Sequence, residues 1–346
     1  MINMIKPKQL KQGDTIAIVS PSSGLAGEPH IRWRTEQGIR FIENMGYRVK
    51  VMPNTLNGLQ WNYDHPEARA KSLMAAFQDD EVKAIVCTIG GYESVRIIPY
   101  LEPTVIQQHP KIFIGYSDIT VLHVYFNQLG LTTFYGPALL TDFAENGGAD
   151  PYTMTSLFSL ISECLPYGEL KPVAYYRKYG LKWEEHLRHF ERDKIPAHEF
   201  EVLQGHGSVS GPLVGGCFES LDKLRGTTYF PALETFDEAV LFIETSEVHS
   251  SPWSFEESLR TWGLMGILNC INALIIGRPH DGVFQNEYHA SILKVLKEFQ
   301  ADDLIVIGHV PIGHNEPKAT LPMGAIVTVQ TQPCKIVINT SAVSQI

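Results

Sequence analysis

Three segments of the chain place a hydroxyl, a carboxylate and an imidazole at the ends of apolar strands, where α/β sheets hold their reactive groups. Ser117 stands in KIFIGYSDIT, which reads as strand, tight turn and helix. Such a turn projects its side chain and aims a helix N-terminus at it. It resembles the nucleophile elbow G-x-S-x-G, except that Ile119 holds the place of the second glycine. Glu244 ends the apolar run AVLFIE, and His314 lies in the glycine- and proline-rich loop VPIGHNEPKATLPMG. Each has a plainer reading as well. Ser117 or Asp118 could cap the following helix, Glu244 could be a solvated strand end, and His314 a surface imidazole. His309, in IGHV, is the rival imidazole, but its place beside the apolar run suits a structural role.

A serine alcohol attacks an amide only with a base in hydrogen-bond reach and a partner that fixes the base's tautomer. It also needs two donors for the developing oxyanion. The backbone N–H of Asp118, just after the serine, is one candidate. The N–H of Gly91, in the turn IGGYES, is the other, because glycine lets a backbone come close to a substrate. The same turn could instead cradle a phosphate, but no G-x-G-x-x-G accompanies it, so a dinucleotide fold has little support. The chain has 13 histidines, and His186 and His189 have helical i,i+3 spacing. No HExxH and no Asp/His cluster goes with them, so neither a metal nor a cofactor is expected. The five cysteines, Cys87, Cys164, Cys217, Cys270 and Cys334, lie far apart without a CxxC. They read as small buried apolar residues rather than as disulfides or zinc ligands.

The elements that must hold these groups alternate along the first half. Thr15–Ser20, Tyr47–Met52, Lys83–Ile89, Lys111–Gly115 and Thr132–Tyr135 read as strands. Arg32–Met45, Pro66–Gln78 and Ile119–Leu129 read as helices between them, with Ile97–Leu101 the tail of a short one. That alternation predicts a mostly parallel sheet covered on both faces. The second half predicts strands at Ser208–Val214, Ala239–Glu244, Ala273–Ile276 and Leu304–Ile307, and a hairpin over Ile326–Ile338. Helices are predicted over Phe218–Arg225, Glu256–Leu268 and His289–Gln300. Between the halves, YYRKYGLKWEEHLRHFERDK has little periodicity but many aromatics, and it reads as a surface excursion or binding loop. The expected division is an N-terminal domain over 1–165, a linker and aromatic loop over 166–204, and a C-terminal domain over 205–346.

Hydrophobic residues at 44% and charged residues at 19% suit a globular protein with a substantial core. The net charge of −10 argues against a general nucleic-acid or anionic-membrane binder. No signal-peptide pattern or membrane span is legible, so the cytoplasm is the expected location.

Taken in order, the blocks PEARAKSLMAAFQDDEVKAIVCTIGGYESVRIIPYLE, PKIFIGYSDIT, YGPAL, GPLVGGCFESLDKLRGTTYFP, LFIETSE and PIGHNEPKATLPMGA resemble the LD-carboxypeptidase family of serine peptidases along nearly the whole chain. The resemblance implies an amidotransferase-like N-terminal α/β domain, a β-rich C-terminal α/β domain and an active site between them. It implies Ser117 as nucleophile, His314 as base, Glu244 as the group orienting the base, and Gly91 and Asp118 as oxyanion donors. It implies a homodimer that acts without a metal on a small peptide or an aminoacyl nucleotide. One family substrate is the murein tetrapeptide, cut before its terminal D-alanine. The other is the aminoacyl nucleotide of microcin C type. Trp183, with Tyr179 second, is then the expected base-stacking residue, and Tyr92 and Cys217 are expected substrate contacts. Cys217 departs from the asparagine often found after the two glycines, and Val248 and His249 stand where a lysine would be sought. Two rivals remain. An amidotransferase would carry a cysteine at the elbow, whereas Cys87 falls within a strand. A catalytically silent peptide- or nucleotide-binding protein would share the fold without turnover.

Overall fold

Short, β-branched apolar runs become fully buried strands, and the computed structural model, which describes residues 4–345, arranges them in two large sheets. The first sheet has six strands in the spatial order Leu321–Met323, Thr133–Tyr135, Ile112–Gly115, Val82–Cys87, Thr15–Val19 and Arg48–Val51. The five strands from the first half run parallel. Helices Arg32–Asn44, Pro66–Gln78 and Thr120–Gln128 occupy the predicted places to within a residue or two. Pro66 opens its helix, where its missing N–H costs nothing.

The sixth strand comes from far along the chain. Leu321–Met323 lies antiparallel to Thr133–Tyr135, with Leu321 opposite Tyr135. It is too short and too proline-marked to be read as a strand in isolation. It sews the second half onto the first, and one continuous apolar core runs through both sheets.

The second sheet has eight strands. Four parallel ones form its centre, Ser208–Cys217, Val240–Glu244, Ala273–Gly277 and Ile305–Val310. Glu201–Gln204 closes one edge, and the hairpin Ile326–Thr331/Cys334–Ile338 with Gly168–Glu169 closes the other.

Several elements differ from expectation. Helix Pro151–Ser162 falls where no helix is expected, and Asp150 caps it by accepting from the Tyr152 N–H at 2.9 Å. The single helix expected over Glu256–Leu268 is two, Pro252–Leu264 and Ile267–Cys270, broken at Gly266 with φ +86°. The segment read as a loop over 166–204 holds a two-stranded ribbon, Tyr175–Arg177 against Lys194–Pro196, and its two ends are enlisted as strands of the second sheet. Among the described residues no helix is long and apolar enough to cross a membrane.

Candidate active site

A cleft of about 230 Å³ opens beyond the carboxyl ends of strands from both sheets. Ser23, Gly90, Gly91 and Ser117 reach it from the first sheet, and Glu247, His280 and His314 from the second. Trp183 and Arg192 come from the segment between.

Ser117 sits between strand Ile112–Gly115 and helix Thr120–Gln128 at φ +65°, a backbone state that non-glycine residues rarely adopt. The cap positions are Tyr116 for the short turn Ser117–Ile119 and Ile119 for the helix, so Ser117 is not the cap. Asp118 holds the turn instead. Its buried carboxylate accepts from Ser22 Oγ at 2.6 Å and from the Ser94 N–H at 2.8 Å, and it pairs with Lys223. Burial pushes the Asp118 carboxyl up, but Lys223 and those donors outweigh it and hold the group below its ordinary range. Across the cleft, Gly90 lies so close that a Cβ there would stand 2.7 Å from Ser117 Cβ. The N–H groups of Gly91 and Asp118 find no acceptor among the described residues.

Glu244 and His314 are brought together at the end of the second sheet. His314 Nδ1 lies 2.8 Å from Glu244 Oε2, and the same oxygen accepts from the His314 N–H at 3.2 Å. Gly313, at φ +72°, makes that approach possible, since a Cβ there would overlap the Glu244 carboxyl. Glu244 is 1% exposed, so it is not a solvated strand end. Burial alone would discharge both groups. The opposite charge and the hydrogen bond overcome it, raising His314 above its ordinary value and lowering Glu244. Glu247 and Glu219 add to the rise at His314.

Tyr135 joins this pair to the elbow, and the sequence did not single it out. Its hydroxyl donates to Glu244 Oε1 at 2.5 Å and accepts from the Ser117 N–H at 3.2 Å. One phenol therefore couples the turn of the first sheet to the carboxylate of the second. Its place at a strand end, as the first residue of YGPAL, was the available signal. The ring packs on His123 and Phe242. His123 is itself buried, its pKa lowered by desolvation to about 4, so the neutral ring donates Nε2–H to the Gly115 carbonyl at 2.8 Å and accepts at Nδ1 from Thr133 Oγ1 at 2.8 Å.

Glu247 is a further residue of the site that the sequence alone does not single out. Its carboxylate lies 3.2 Å from His314 Nε2, the nitrogen that would face Ser117. Deeper in the cleft, Lys318 pairs with Asp142 under the Tyr116 ring, and Tyr116 meets His314 edge-on at 5.0 Å. Burial and then Asp142 push the Glu316 carboxyl well above the carboxylate range. Arg177 and Arg192 give the same wall positive charge, with Arg192 paired to Glu145.

Of the expected substrate contacts, Trp183 lines the cleft, with the Arg34 guanidinium 4.1 Å from its ring centre. Tyr179 lines it too and packs edge-on against His280 at 4.6 Å. Tyr92 and Cys217 lie outside the lining. Tyr92 is 68% exposed. Cys217 is 1% exposed, with its N–H on Thr120 Oγ1 at 2.9 Å and its thiol against Glu219 at 3.2 Å. Its strand pairs it with Glu244, so the buried thiol stands beside that strand end rather than in the cleft lining. His309 is away from the cleft lining.

Two family signatures match the chain: the LD-carboxypeptidase N-terminal domain over residues 16–136 and the LD-carboxypeptidase C-terminal domain over residues 210–329. YocD of Bacillus subtilis (strain 168), named as a carboxypeptidase, is 32% identical over 93% of this chain and 95% of its own. A second Bacillus subtilis protein, named as a murein peptide carboxypeptidase, is 29% identical over 94% of this chain and 92% of its own. The crystal structure of an MccF-like protein from Streptococcus pneumoniae in complex with AMP superposes with a TM-score of 0.88 at 31% identity, covering 95% of this chain and 99% of that one.

Proposed function

The chain belongs to the LD-carboxypeptidase family, and from that premise we propose that it hydrolyses an amide bond through Ser117, His314 and Glu244. The observation that carries the reading is the connected set that ends at His314 and Ser117 in the cleft lining. Glu244 holds His314 Nδ1 at 2.8 Å, and Tyr135 bridges Glu244 to the backbone of Ser117.

Ser117 Oγ attacks the carbonyl carbon while His314 Nε2 takes its proton. The unengaged N–H groups of Gly91 and Asp118 stabilise the oxyanion. His314 then protonates the leaving amine, and water releases the acyl group by the reverse sequence. Glu244, ionised and buried, fixes the Nδ1–H tautomer and stabilises the imidazolium. Glu247 must leave Nε2 before Ser117 can use it. The Gly90 approach and the left-handed backbone of Ser117 keep the nucleophile at the cleft floor.

The mixed charge of the wall suits a small, multiply charged ligand, either a short peptide with a free carboxylate or an aminoacyl nucleotide. Trp183 in the lining supports the nucleotide, as does the AMP of the pneumococcal relative. The family relation to a murein carboxypeptidase supports the peptide. A mass-spectrometric turnover assay on a murein tetrapeptide and an aspartyl sulfamoyl adenylate, with wild type and Ser117→Ala, decides between them. Release of D-alanine or of the nucleotide by wild type alone is the expected outcome. Full activity in Ser117→Ala would end the proposal. The Glu247 contact on Nε2 favours one rival, a silent binder, which would hold a ligand tightly and turn over neither substrate. The homodimer belongs to the same proposal and is checked by sedimentation.

A further inference from the structure

A second group of ligating side chains lies outside the cleft. His289 comes from helix Gln285–Glu298, His309 from strand Ile305–Val310 and Glu201 from the edge strand Glu201–Gln204. One ring nitrogen of each histidine and a Glu201 oxygen lie within 4.8 Å of one another. The two imidazoles meet edge-on with centroids 5.4 Å apart, and His309 Nε2 is 2.8 Å from Glu201 Oε2.

A plain ion pair between His309 and Glu201 leaves much unexplained. Both histidines are 8% exposed, yet His289 Nε2 and His309 Nδ1 have no hydrogen-bond partner among the described residues. A buried imidazole nitrogen that has lost water without a replacement is costly, and native structures rarely keep one without a reason. His309 is also held at φ +62°, in the left-handed region, and the ladder to Ala273–Gly277 slips register across it, between Ile307 and Val310.

We propose that Glu201, His289 and His309 form a binding site for a divalent transition metal, with zinc as the occupant. Two imidazoles and one carboxylate suit zinc and its neighbours, whereas magnesium and calcium prefer oxygen alone. Donors bound to one zinc at about 2.0–2.2 Å stand about 3.3 Å apart, so a small rearrangement of the present group suffices. The exposed His198, with its ring 5.2 Å from that of His309, or a water, completes the tetrahedron.

The metal is structural here. Glu201 lies at the end of the segment that carries Trp183 and Arg192 to the cleft, and His309 lies five residues before His314. A bound ion ties both lines of approach to helix Gln285–Glu298. The site stands independently of the hydrolase reading.

The test uses full-length, metal-stripped protein, with zinc followed by calorimetry and cobalt by its visible bands. The controls are chosen against other donors. Cys217, Glu244 and His314 also converge, although Tyr135 and His314 already occupy the Glu244 oxygens. His186 and His189 are exposed. One zinc per chain is expected in wild type, in His314→Ala and in the double variant His186→Ala/His189→Ala, with tetrahedral cobalt bands in each. Loss of a ligand should weaken binding by at least the ~100-fold that loss of a supporting partner costs, in His289→Ala and in Glu201→Gln alike. Glu201 is exposed, so that second variant tests the site without disturbing the core. Absence of stoichiometric binding, binding unchanged in folded Glu201→Gln, or binding lost in His314→Ala would overturn the site.

Discussion

Replacing Tyr135 by phenylalanine removes one oxygen and leaves the ring to pack against Phe242 and His123. That oxygen carries two hydrogen bonds, to Glu244 Oε1 at 2.5 Å and from the Ser117 N–H at 3.2 Å. The variant therefore strands a buried carboxylate oxygen and frees the elbow from the second sheet at once. A hydrogen bond to a charged group contributes about 1.5–3 kcal/mol. If that is felt in the transition state, where Glu244 must hold the imidazolium, the rate falls about 10- to 150-fold. The assay is the second-order rate of Ser117 phosphonylation by a fluorophosphonate, read by intact mass, which needs no knowledge of the substrate. Ser117→Ala must show no labelling. Urea unfolding run alongside separates a site effect from a folding defect, with a stability loss of about 1–3 kcal/mol expected from the unpaired carboxylate. Tyr135 is 1% exposed and outside the cleft lining, so ligand affinity should hold while the labelling rate drops. A labelling rate within about twofold of wild type would refute the coupling of Tyr135 to the reacting serine.

Three further outcomes follow from the same geometry. His314 must be neutral to accept a proton and its pKa is raised, so the acid limb of kcat/KM should lie above the ordinary imidazole range; Glu247→Gln removes a nearby negative charge and should move that limb to lower pH, and a limb that stays put would dismiss the Glu247 contact. Gly90→Ala should cut the phosphonylation rate about 100-fold or more with circular dichroism unchanged, because its methyl would occupy the space of the Ser117 side chain. Trp183→Ala should weaken AMP by the ~1–3 kcal/mol of one stacked base, measured by calorimetry, while leaving murein-peptide turnover within about twofold if the peptide is the substrate.

The elements around the site were legible because their signals are local. Apolar runs of β-branched residues marked the parallel strands, Pro66 opened a helix, and the strand–turn–helix pattern around Ser117 put a hydroxyl on a sharp bend. Helix Pro151–Ser162 was missed although Asp150-Pro151 is a good cap, because the segment after it carries no clear polar face. Tyr92 and Cys217 show the limit of reasoning by neighbourhood. Tyr92 follows Gly91 of the cleft lining yet is exposed, and Cys217 is paired with Glu244 on the next strand yet is buried with its thiol against Glu219.

What the chain by itself determined was which apolar runs form the central parallel strands, that Ser117, Glu244 and His314 lie at or just beyond the ends of three of them, and which family the ordered blocks resemble. Only the tertiary structure decided how far these groups stand from one another and what else reaches them. Tyr135 acquires its role because Glu244 approaches from 109 residues away. The short strand Leu321–Met323 becomes one only beside Thr133–Tyr135. Glu201, His289 and His309 converge because an edge strand, a helix and a central strand meet there. The physical reason is common to all of them. Local propensity acts over a few residues, whereas a hydrogen bond or a shared ligand depends on distances of a few ångströms that the packing of distant segments alone sets.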